Sequence, residues 1–115
     1  MSVTIYHNPR CSKSRQTLAL LEQRGIKPKV IEYLATPPTE SELRHLLKLL
    51  GMRPRDLLRQ KEEEYKQAQL DDPDVSDTQI IRAMVKHPRL IERPIVVAGG
   101  KAALGRPPES VLKIL

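Results

Sequence analysis

The order of elements at the start of the chain restricts its fold more than any other feature, because strand, helix and strand follow one another with short connections. Residues 3–7, Val-Thr-Ile-Tyr-His, have the β-branched and aromatic character of a strand, and Asn8-Pro9 is a turn signal that ends it. A helical pattern runs from Ser12 to Arg24, and Gly25 offers the left-handed residue that commonly stops a helix. Residues 29–34 read as the second strand. Such a βαβ unit, about 30 residues long, has parallel strands and a right-handed crossover.

The middle of the chain changes character. Pro37-Pro38 breaks it, and Thr39 with Glu42 has capping-box spacing ahead of Leu43, Leu46, Leu47 and Leu50, with Gly51 closing that helix. Pro54 suits the first turn of a short helix through Leu57, Leu58 and Arg59, and residues 61–74 are charged enough to be partly exposed. Ser76 and Gln79 repeat the capping box before Ile80, Ile81, Met84 and Val85, and Pro88 enforces a stop. Residues 95–98 and 101–104 flank Gly99-Gly100 as an antiparallel hairpin, and Pro107-Pro108 starts a last helix carrying Val111, Leu112 and Leu115 toward the core. The class is therefore α/β in a single domain, residues 1–115, with a helical insertion at about 37–90. The order resembles the thioredoxin-like fold, and that analogy joins the parallel pair and the hairpin into one four-stranded mixed sheet.

A length of 115 residues suits one core, and with 39% hydrophobic residues, three Tyr and neither Phe nor Trp, aliphatic side chains must fill it. The first residues lack the apolar run of a signal peptide, and no stretch approaches the roughly 18 apolar residues of a membrane span. A cytoplasmic monomer without membrane association is expected. Twenty Lys and Arg against 14 Asp and Glu leave a net charge of +6, but the basic residues are scattered among acids and lack aromatic neighbours. Nucleic acid is not the expected partner; a small anion is compatible.

A lone cysteine, Cys11, excludes an internal disulfide. Free cysteines are often buried and inert, yet Cys11 lies in a turn between Pro9-Arg10 and Ser12-Lys13, where the first helix begins. A thiol with an ordinary pKa of roughly 8.5 is only about 3% ionised at pH 7, and a helix start counters this with unpaired N–H groups and the positive end of the dipole. Arg10, Lys13 and Arg15 add positive charge, and His7 ends the strand entering the same turn, in a thiolate-tuning or a packing role. Ser14 and Arg15 stand at i+3 and i+4 from Cys11, where both can face the sulfur, and Leu18 and Leu21 continue that sector inward. Cys11-Ser-Lys-Ser14 has CxxC spacing with serine second, so any oxidised or adducted Cys11 must be resolved by a thiol from outside. His7, His45 and His87 lack metal-ligand spacing, and no metal is expected.

The run His7-Asn-Pro-Arg-Cys-Ser-Lys-Ser-Arg15 resembles the H-N-P-x-C-x-x-S-R motif of the glutaredoxin-linked arsenate reductase (ArsC) family. Leu57-Leu-Arg59 followed by Tyr65, Ile91-Glu-Arg-Pro-Ile-Val-Val97 and Gly105-Arg-Pro-Pro-Glu109 resemble its later motifs in the same order, so the resemblance spans the chain. It implies a Cys11 nucleophile, three oxyanion-binding arginines at Arg59, Arg93 and Arg106, and in Pro94 the cis-proline that faces the cysteine of thioredoxin-like folds. It further implies arsenic detoxification, with glutathione as co-substrate, glutaredoxin as partner and no bound cofactor. Guanidinium forks suit a tetrahedral oxyanion and keep their charge at any working pH. Arg10, Ser12 and Lys13 depart from the smaller residues of the arsenic-resistance members, which also extend further at the C-terminus. Two alternatives stand beside arsenate: a glutathione-dependent thiol/disulfide reductase with another substrate, and a regulator like the RNA polymerase-binding Spx proteins, which typically carry a CxxC where this chain has Ser14.

Overall fold

Burial alternates along β1 (Val3–His7), with Val3, Ile5 and His7 covered and the residues between them half-buried, as a central strand requires. The computed structural model describes residues 2–115 and contains one four-stranded sheet in the order β2-β1-β3-β4. β1 pairs in parallel with β2 (Lys29–Glu32), Ile5 opposite Val30, and antiparallel with β3 (Ile95–Ala98), Ile5 opposite Val96. β3 turns through Gly99 and Gly100 into β4 (Lys101–Leu104). Both glycines have positive φ, +56° and +76°, a region open to residues without a Cβ. The mixed sheet is thus the one expected.

Helix α1 (Ser12–Gln23) is the crossover between β1 and β2 and buries Ser14, Thr17 and Leu21. Thr17, and not Leu18, continues the inward row; Leu18 is half-buried at the margin. β2 stops at Glu32, two residues earlier than expected, because the N–H groups of Ala35 and Thr36 both turn back onto the Glu32 carbonyl. The core of this part is Val3, Ile5, Leu21, Val96, Ala98 and Val111. Each Val, Ile or Leu among them contributes about 1.5–3 kcal/mol on burial. The last helix is a 3-10 helix, Pro108–Ile114, packed on α1 and β4. Its tighter winding buries Val111, half-buries Leu112 and Ile114, and leaves Leu115 exposed instead of in the core.

Residues up to 36 together with 93–115 form one compact unit, and residues 37–92 form a second. The second holds α2 (Glu40–Leu50), α3 (Pro54–Leu57), α4 (Glu63–Gln67), α5 (Asp77–Lys86) and a 3-10 turn, Pro88–Leu90. Both capping boxes form, the Thr39 and Ser76 hydroxyls accepting from the N–H groups of Glu42 and Gln79. Leu43, Leu46 and Leu47 of α2 and Ile80, Ile81 and Met84 of α5 are buried, whereas Leu50 and Val85 are half-buried. α3 ends before Leu58, which instead pairs with Ile91 in an isolated bridge; the Arg59 N–H donates to the Leu90 carbonyl at 2.7 Å and Glu92 N–H to Leu57 at 2.9 Å. The charged stretch contains a helix that its composition concealed, α4, after which Arg55 reaches the Leu70 carbonyl at 2.9 Å. Among the described residues no helix is long and apolar enough to cross a membrane.

Candidate active site

The end of β1 and the start of α1 build the site. The Cys11 N–H donates to the Asn8 carbonyl at 3.0 Å and the Arg10 N–H to Asn8 Oδ1 at 3.0 Å, so Asn8 closes the turn with main chain and side chain together. Cys11 is the N-cap, in extended conformation (φ −93°, ψ 123°), and its carbonyl accepts the first helical bond, from the Arg15 N–H. A cysteine cap supplies no strong acceptor to the first turn, which leaves the Ser14 and Lys13 N–H groups directed at the sulfur.

Cys11 is half-buried, and burial is the largest single influence on its thiol, pushing the pKa up. The Ser14 N–H, the Arg93 guanidinium and the Lys13 N–H outweigh it, with the Arg93 charge adding to them, so the thiol titrates below its ordinary value. Arg106 Nη2 also donates to Cys11 Sγ at 3.7 Å. The arginines arrive by way of the hairpin. Pairing of Ile95 with Leu104 brings the chain before β3 beside the chain after β4, where Arg106 Nε donates to the Arg93 carbonyl at 2.7 Å. The Arg93–Pro94 and Arg106–Pro107 peptides are both cis, the second of which nothing in the sequence announced.

His7 is buried, its Nδ1 2.6 Å from Ser14 Oγ, and the same oxygen accepts the Asn8 N–H at 3.0 Å. Burial lowers the His7 pKa, the Glu32 carboxylate raises it and the Arg15 charge lowers it again; the net is downward. The ring is therefore neutral at pH 7. Arg15 Nη1 donates to the Pro9 carbonyl at 2.9 Å, bracing the turn, and the pull on the thiol comes instead from main-chain N–H groups and Arg93. Arg59 belongs to the helical unit, where Nη1 donates to Glu92 at 3.1 Å and Nε pairs with Glu62 at 3.4 Å.

Gly105 stands in a motif, but its structural role was not anticipated. Its N–H donates to the Pro94 carbonyl at 2.9 Å, and a Cβ there would collide with Thr17 Oγ1 and come within 2.7 Å of Pro94 Cγ. A lone glycine between a strand and an Arg-Pro pair is the signal that could have marked it, since glycine there often permits a close approach of backbone. Among the described residues no three His, Cys, Asp or Glu side chains gather as a metal site would need.

The model of the ArsC family matches residues 6–114. The chain belongs to the ArsC family. Its relatives include the uncharacterized protein YfgD of Escherichia coli, 58% identical over 114 residues that cover 98% of this chain and 96% of that one. The arsenate reductase of Haemophilus influenzae is 52% identical over 116 residues, the full length of both proteins. In the solved structure of arsenate reductase from Vibrio cholerae, 58% identical, the fold matches with a TM-score of 0.97 over 100% of this chain and 98% of that one. Within this ArsC chain, then, the thiol, two arginines and a helix start meet where a nucleophile and an anion can be held together.

Proposed function

We propose that this ArsC protein is an arsenate reductase in which the Cys11 thiolate attacks the arsenic atom. The observation that carries the reading is the half-buried Cys11 at the N-cap of α1, with its pKa lowered and Arg106 3.7 Å from the sulfur. Arg93 and Arg106 hold the oxyanion by forked, charge-assisted hydrogen bonds that strengthen as charge develops on its oxygens. For Arg59 an oxyanion-binding role rests on the resemblance of its sequence motif alone. The Cys11–arsenic bond forms as one arsenate oxygen leaves, protonated, as water. Glutathione then adds its sulfur to the enzyme-bound arsenic with loss of a second water; a glutaredoxin thiolate attacks that glutathione sulfur, so that a glutaredoxin–glutathione disulfide forms as the sulfur–arsenic bond breaks and its electron pair reduces As(V) to As(III), and water cleaves the Cys11–arsenic bond to release arsenite and the Cys11 thiolate. Ser14 makes this dependence on outside thiols unavoidable, because Cys11 has no second cysteine to turn to.

The test is a coupled assay of purified protein with arsenate, glutathione and glutaredoxin, run beside Cys11→Ser. Arsenite formed by the unaltered protein and none by the variant is the expected result. Undiminished arsenite formation by Cys11→Ser, or none by either protein, contradicts the reading.

A further inference from the structure

A cleft of about 360 Å³ opens on the turn that carries Cys11, lined by His7, Asn8, Pro9 and Arg10 on one side and Glu32, Leu34 and Ala35 on the other. Its volume lies in the range of small-molecule clefts. The base is buried at His7 and Asn8, while Pro9, Leu34 and Ala35 give the rim an apolar part and Arg10 and Glu32 give it one charge of each sign. Neither charged group is in an ion pair among the described residues. Both ends of such a rim suit a ligand that is itself charged at both ends.

The cleft and the sulfur share one turn. Asn8 and Cys11 are first and last residues of one turn, closed by the 3.0 Å bond from the Cys11 N–H to the Asn8 carbonyl, which sets their Cα atoms within about 7 Å. An extended tripeptide spans about 10 Å. The guanidinium groups at the sulfur come from residues 93 and 106, whereas the cleft is walled by residues 7–10 and 32–35. An oxyanion on the arginines and a peptide in the cleft therefore draw on different segments of the chain.

We propose that this cleft seats the thiol co-substrate as a short peptide carrying an ammonium and carboxylates, with Glu32 receiving the ammonium and Arg10 a carboxylate. The proposal rests on the reading of Cys11 as a nucleophile resolved by an outside thiol, and goes beyond it in giving that thiol a site. The site is testable without arsenate. With oxidised glutathione the Cys11 thiolate attacks one sulfur, a Cys11–glutathione disulfide forms, the original S–S bond breaks, and the second glutathione leaves as thiolate and takes a proton from solvent.

The experiment measures the rate of that reaction by mass spectrometry against the rate with 2-hydroxyethyl disulfide, which is uncharged. The expected result is a preference for oxidised glutathione that falls about five- to tenfold in Glu32→Gln and in Arg10→Ala, the size of one lost charge-assisted hydrogen bond. An equal loss of rate with both disulfides, or an unchanged preference, overturns the proposal; no reaction with either disulfide removes the nucleophile on which it rests. In Cys11→Ser, where no disulfide can form, reduced glutathione is expected to shift the amide resonances of residues 7–10 and 32–35. Shifts elsewhere alone, or none, overturn it as well.

Discussion

Ser14 ties the site together. One buried oxygen takes the Asn8 N–H and meets His7 Nδ1, while the same residue's N–H is directed at the Cys11 sulfur. Ser14→Ala leaves both partners buried without their hydrogen bond, and a loss of roughly 1–3 kcal/mol is expected in urea unfolding. Its position in the sequence was legible, but its partner was not, because the bond to His7 depends on how β1 enters the turn. His7 has a pH signature of its own. With the folded pKa below the unfolded value of about 6.5, the unfolded chain binds more protons as pH falls, so stability declines below about pH 6.5. Unfolding midpoints of His7→Gln are expected to lack that part of the decline. Arg93→Ala and Arg106→Ala are each expected to lower kcat/KM for arsenate by about 10- to 100-fold, measured in the coupled assay.

At the scale of elements, signals that resided in a few neighbouring residues were readable: the capping boxes, β1, the Gly-Gly hairpin and the start of α1 at Ser12. What escaped depended on partners far along the chain or on backbone geometry. α3 gives up Leu58 to a bridge with Ile91, and α4 has no apolar periodicity to announce it. The contact of Gly105 with Thr17 and Pro94 joins α1 to the hairpin across more than 80 residues of sequence, a separation no local pattern records. Thr17 cannot readily yield, since it is fully buried and its Oγ1 donates to the Lys13 carbonyl at 2.8 Å. Gly105→Ala is therefore expected to cost about 1–3 kcal/mol in thermal or urea unfolding and, by displacing Arg106, to slow alkylation of Cys11.

For the molecule as a whole, the βαβ unit and the hairpin were each argued from pattern, and their union through β1–β3 pairing, Ile5 against Val96, came from resemblance. That union matters chemically, because it carries Arg93 and Arg106 to the turn holding Cys11. Two arginines remote in sequence from the cysteine were picked out by their motifs and not by any property of charge, which is spread over 20 basic residues. Activity therefore turns on whether the assembled fold makes Cys11 a thiolate near neutral pH. The rate of Cys11 alkylation by iodoacetamide, followed from pH 4 to 10, measures this directly. The expected titration midpoint lies below the free-thiol value of about 8.5 and moves upward in Arg93→Ala; a midpoint at or above that value in the unaltered protein would contradict a nucleophilic role for Cys11.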